Sequence, residues 1–128
     1  MVATQELKKK DFSEALSTLE RALEQDKDEF LRDSVIKRFE YCFEVGWKTA
    51  KLYLSEQYGQ QVFSPKEVFR QLRIQGMLSD EDTETALCMT DDRNKVIHIY
   101  EKEFSEEMYD KIASRYFPLL QKLYEAMT

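Results

Sequence analysis

The sequence predicts an all-α fold, an antiparallel up-and-down four-helix bundle with one extra short helix. Three observations predict it. Only three Gly and two Pro occur in 128 residues, too little turn chemistry for a many-stranded sheet. Apolar residues recur at spacings of three and four over long stretches. Short segments bearing helix-stop and helix-start residues separate those stretches, and short connections imply antiparallel neighbours. A chain of this length suits one domain over residues 1–128. At that size it buries roughly two thirds of its unfolded surface, so a core forms without metal or disulfide staples.

The first helix is expected over residues 5 to 26, where Phe12, Ala15, Leu16, Leu19, Ala22 and Leu23 form one stripe between charged residues. The second is expected from about Asp28 to Gln57. At ~1.5 Å per residue it is about 45 Å long and forms the spine of the domain. Phe39, Phe43 and Trp47 are its candidate core aromatics, and Gly59 stands where the helix must stop.

In "FSPKEV", Ser64 is a candidate N-cap, Pro65 fits the first turn and Glu67 completes a capping box. Phe63 and Val68 have the spacing of a hydrophobic staple. Ser79 caps the next helix, with Asp80, Glu81, Asp82 and Glu84 at its positive end. Its stripe is Thr85, Ala86, Met89, Val96 and Ile97, and Arg93 continues the line of Ala86 and Met89. The last helix is expected to start at Ser105 and to bend at Pro118.

The net charge of −6 argues against a general charge-driven nucleic-acid binder. It leaves room for an enzyme that acts on RNA at a small local site. Cys42 and Cys88 both lie in helical patterns without a Cys-x-x-Cys pair, so two reduced core thiols are expected. The opening "MVATQELKKKDF" lacks an apolar run. No stretch approaches the roughly 18 to 20 apolar residues that cross a bilayer. A soluble, cytoplasmic chain without a membrane partner is therefore expected.

"RNKVIHIY", residues 93 to 100, holds the single histidine, His98. Asn94 and His98 are four apart and share a helix face beside Arg93, whereas Tyr100, seven after Arg93, returns to the arginine side, so an unbroken helix points it away from His98. Taken singly, each residue has an ordinary reading. His98 suits a half-buried helix position. Arg93 suits an ion pair with Asp91, Asp92 or an acid on a neighbouring helix. Tyr100 suits a core edge.

Together, the Arg, four residues, His, one residue, Tyr spacing resembles the motif of the HEPN superfamily, and Asn94 stands where a polar residue is usual. "RFEYCFEVGWKTAK", residues 38 to 51, resembles the signature of the nucleotidyltransferase substrate-binding proteins, a branch of that superfamily. The resemblance runs from about Phe12 to Leu123. It implies a helical bundle that dimerises and a partner encoded beside it, a minimal nucleotidyltransferase. It further implies a toxin ribonuclease, with Arg93, Asn94 and His98 in the catalytic site and Tyr100 as the tyrosine that the antitoxin adenylylates. The alternative is a non-catalytic substrate-binding subunit of the nucleotidyltransferase.

Elementary chemistry is compatible with the first assignment. RNA is cut without a metal when its own 2′-OH attacks the adjacent phosphate. The step needs a base, an acid and cationic donors. Histidine supplies the first two near neutral pH, and arginine's planar fork suits the phosphate. Asn94 could orient the phosphate or His98. A two-histidine mechanism takes its second histidine from a two-fold partner, which gives a reason for a homodimer; one His with water is the weaker single-chain alternative. No zinc spacing, P-loop or dinucleotide fingerprint occurs, so no metal and no cofactor are expected. Lys66, Arg70 and Arg73 share a face of the short helix, either as a solvated basic surface or as a patch for RNA or a partner.

Overall fold

The computed structural model describes residues 3–96 and 101–128, and every regular element among them is helical. In chain order these are α1 (Ala3–Leu23), α2 (Glu29–Tyr58), α3 (Pro65–Ile74), α4 (Asp80–Val96), α5 (Lys102–Lys111), a π-helical turn (Ile112–Tyr116) and α6 (Phe117–Ala126).

Residue pairs across the elements give their directions. Gln5 meets Glu56, Lys8 meets Thr49 and Arg38 meets Thr18, so α1 and α2 are antiparallel. Arg32 meets Glu106 and Phe39 meets Tyr116, so α2 runs parallel to the last rod. Asp82 meets Lys122 and Asp92 meets Lys111, so α4 runs against it. This is an up-and-down bundle of four long rods, with α5, the π turn and α6 as the fourth rod and α3 as the extra short helix between α2 and α4.

The helix ends follow from local chemistry. Asp28 caps α2 by accepting from the Leu31 amide at 2.7 Å. Gly59 closes α2 with φ +66°, a left-handed conformation that costs glycine nothing. Ser64 accepts from the Glu67 amide at 3.4 Å, and Glu67 reaches back to the Phe63 amide at 2.9 Å. The expected staple is not buried, because Phe63 is 72% exposed while Val68 is fully buried. Ser79 accepts from the Asp82 amide at 3.0 Å, the expected cap of α4.

The last rod starts at Lys102 rather than Ser105. The Ser105 amide already donates to the Glu101 carbonyl at 3.0 Å, four residues back, so Ser105 is inside the helix and not its cap. A π turn stands just before Pro118, where a bend is expected. Pro118 has no N–H to give the carbonyl four residues earlier, and the Phe117 amide bonds five residues back to Ile112.

The core is an aromatic and aliphatic belt around α2. Phe12, Leu19, Phe39, Phe43, Phe69, Tyr116 and Leu120 are all buried. Phe39 stacks on Tyr116 with ring centroids 5.8 Å apart. Gly46 lets α1 and the last rod approach α2, because a Cβ there would stand 2.9 Å from Phe12 Cζ and 3.6 Å from Leu120 Cδ2. Trp47 is half-buried, at the edge of the belt rather than inside it. Cys42 is buried, and burial pushes its thiol up to about 12. Cys88 is exposed, which corrects the expectation of two core thiols. Among the described residues, no helix is long and apolar enough to cross a membrane.

Candidate functional site

The C-terminal turns of α4 point three consecutive side chains in three directions, as steps of ~100° require. Asp91 turns out to α3 and pairs with Lys66 at 2.7 Å. Asp92 turns inward, where it accepts from the buried Tyr116 hydroxyl and from Lys111 Nζ at 3.2 Å. Arg93 turns toward α2. Its Nη2 donates to Glu44 Oε2 at 2.7 Å, and its guanidinium carbon lies 5.3 Å from the centroid of the Phe43 ring. Of the alternatives that the sequence left open for Arg93, the acid on a neighbouring helix is the one realised.

Glu44 is the hub of this corner. Besides Arg93, it accepts from Trp47 Nε1 at 3.3 Å and pairs with Lys48 at 3.1 Å. Burial pushes its carboxyl up, but the bonds from Lys48 and Trp47 and the charge of Arg93 outweigh burial and leave it below the usual carboxylate value. The Arg93 side chain is 23% exposed. Two of its nitrogens are engaged, Nη2 by Glu44 and Nη1 by Asn94 Oδ1 at 3.4 Å. Its Nε is buried without a hydrogen-bond partner among the described residues. Asn94 itself is exposed.

The structure therefore brings Arg93 and Asn94 together beside Glu44. The assignments of His98 and Tyr100 fall outside the described residues. Chemically, the corner presents a half-buried guanidinium preset by a carboxylate and braced on an aromatic face. That arrangement suits an anion, which has to share the cation with Glu44.

Sequence reasoning missed Glu44, Tyr116 and Lys111 as parts of this corner. Glu44 had a local signal, its four-residue spacing to Lys48. Its link to Arg93 spans 49 residues and had none. The basic face of α3 is largely neutralised, with Lys66 on Asp91 and Arg73 on Asp80 at 3.0 Å, while Arg70 stays exposed. Among the described residues, no three His, Cys, Asp or Glu side chains are grouped to hold a metal ion.

Residues 7–128 match the family described as nucleotidyltransferase substrate binding protein like. The chain belongs to this family. The match covers α2 with Glu44 and α4 with Arg93 in one span, so the corner is part of the family's domain and not an addition to it. A protein of known crystal structure from Thermus thermophilus is similar at 34% identity, over 91% of this chain and 98% of that one, with a TM-score of 0.86.

Two more distant structures share the fold of this chain. One is from a mutant of the MntA–HpeT toxin–antitoxin pair, the other from a tri-AMPylated Shewanella oneidensis HEPN toxin in complex with MNT antitoxin. Each is 16% identical over 96% of this chain and 95% of the other, with a TM-score of 0.77. No curated protein sequence matches the chain.

Proposed function

We propose that this chain is a HEPN-type toxin endoribonuclease, active as a homodimer and held in check by a partner minimal nucleotidyltransferase that adenylylates Tyr100. The single observation that carries the reading is Arg93. It is half-buried, braced on Phe43 and preset by Glu44, and it opens the Arg93, Asn94, His98, Tyr100 series. A surface arginine with a purely solvent role needs no such brace. The toxin–antitoxin context of the two distant neighbours supports the direction of the reading.

In this reading, one His98 removes the proton from a ribose 2′-OH, and the oxygen attacks the adjacent phosphorus. The bond from phosphorus to the 5′-oxygen breaks, and His98 of the other protomer protonates the leaving oxygen. Arg93 donates to the phosphoryl oxygens as their charge grows, and Asn94 orients the phosphate or His98. The products are a 2′,3′-cyclic phosphate and a 5′-hydroxyl. An adenylyl group on Tyr100 adds a phosphodiester charge that competes for Arg93 and bulk that blocks RNA.

A second reading, a non-catalytic binding subunit for the nucleotidyltransferase, is favoured by the ion pair of Arg93 with Glu44, which neutralises the guanidinium within the fold.

One experiment separates the two. Unmodified protein is incubated with cellular RNA in a chelator, beside Arg93→Ala and His98→Ala. The expected result is cleavage by the first, reduced on the order of 100-fold or more in each variant, with unchanged helical circular dichroism. Absence of cleavage by the unmodified homodimer hands the case to the binding-subunit reading.

A further inference from the structure

A groove of about 350 Å³ opens where α1, α2 and the segment after α2 meet, on the Glu44 side of the bundle. Lys8, Trp47, Lys48, Lys51, Gln60 and Gln61 line it, and no carboxylate does. That lining is unusual in a chain whose net charge is −6. Lys48 pairs with Glu44, whereas Lys8 and Lys51 form no ion pair with a described residue. On the rim, the Lys51 ammonium lies 5.7 Å from the centroid of the exposed Phe63 ring.

The groove is joined to the candidate site through one side chain. Glu44 contacts Trp47 and Lys48 of the lining on one side and Arg93 on the other. A ligand lying along Lys51, Trp47 and Lys48 therefore lies beside the partners of Glu44, the carboxylate that holds Arg93.

We propose that this groove is a binding site for single-stranded RNA. It holds a nucleotide next to the scissile phosphate, with its base on Trp47 and the backbone phosphates on Lys8, Lys48 and Lys51. The ligand class follows from the lining. Cations interleaved with an aromatic face bind single strands through phosphate contacts and base stacking, and this does not depend on sequence. The amides of Gln60 and Gln61 offer donors and acceptors to base or sugar. The inference rests on the nuclease reading for its RNA, but its test does not depend on turnover.

Trp47 is the only tryptophan in the chain, so its fluorescence reports the groove directly. A short fluorescein-labelled oligouridylate is titrated into the His98→Ala protein, which holds RNA without cutting it. The expected result is saturable binding by anisotropy, with an unlabelled oligouridylate quenching Trp47 in parallel. Lys8→Ala/Lys51→Ala weakens that binding on the order of 10-fold and flattens the log–log salt dependence by roughly 1.4, about 0.7 per lost phosphate contact.

Binding that leaves Trp47 unquenched, or that survives the double lysine variant unchanged, overturns the proposal. So does quenching by ATP with none by oligouridylate, which makes the groove a mononucleotide pocket. Groove-dependent binding alongside an unmodified protein that cleaves nothing upholds the groove and removes the nuclease reading instead.

Discussion

Phe43 and Glu44 are neighbours on α2, and both touch Arg93, yet they belong to different kinds of structure. Phe43 is fully buried and packs with Phe39 and Phe69, at centroid distances of 6.3 Å in both cases. Its ring is also where the core reaches the surface and braces Arg93. Glu44 is half-buried and makes no apolar packing claim. Its carboxylate bonds Trp47, Lys48 and Arg93. One turn of helix thus carries a region held by shape and a region held by charge. The first tolerates no lost volume. The second can exchange partners at little cost to the fold, which is what a site for an anion requires.

The largest effect should come from the region held by shape. Phe39 is buried between Phe43 and Tyr116, so Phe39→Ala leaves a cavity in the belt. The expected loss is about 3 to 5 kcal/mol, read from the shift of the urea midpoint. A loss below roughly 1 kcal/mol would mean that the belt collapses around the gap, and the contrast between the regions would lose its first half.

Tyr116 tests the boundary between the two, since its ring is in the belt and its hydroxyl is on Asp92. Tyr116→Phe keeps the packing and removes one bond to a carboxylate, for about 1.5 to 3 kcal/mol. It should also change the response to alkali. Burial first, then the bond to Asp92 and its charge, hold the Tyr116 phenol above its ordinary value. Its stabilisation is therefore complete below about pH 10 and lost as pH rises beyond it. The unsubstituted protein should lose melting temperature steeply in that range, and Tyr116→Phe should lose less. Parallel curves would show that the phenol does not govern alkaline unfolding.

The two regions also differ in how far the sequence disclosed them. The belt was legible because burial on a helix has a period, which placed Phe12, Leu19, Phe39 and Phe43 correctly. The caps at Ser64 and Ser79 and the stop at Gly59 were legible because their chemistry is local. Trp47 was expected deeper than it lies, because an indole also suits a groove wall and spacing does not distinguish the two. Ser105 was expected as a cap because of its residue type, but the helix had already begun at Lys102. Arg93 and Asn94 were named from their motif. Their setting was not legible, because an ion pair between α2 and α4 leaves no period in the sequence.

The smallest effect on stability, and the most informative for function, belongs to Glu44→Gln. The Glu44–Arg93 pair is part-exposed, with side chains 34% and 23% accessible, so its loss should cost less than about 1 kcal/mol. The Glu44 carboxyl is held below its ordinary value by its hydrogen bonds and by Arg93, despite burial. The pair's small share is thus present above about pH 4.3 and fades as pH falls through the lower folded value. The amide of the variant can still accept from Arg93 and keep it over Phe43, but it no longer offsets the positive charge. An RNA phosphate then meets Arg93 and Lys48 without a competing carboxylate. In the His98→Ala background, the oligouridylate should bind several-fold more tightly, with a salt dependence steeper by roughly 0.7 for one added phosphate contact. Weaker binding with Arg93 intact would give Glu44 the opposite role. It would then position the cation rather than restrain it, and the region held by charge would be as intolerant of change as the belt beside it.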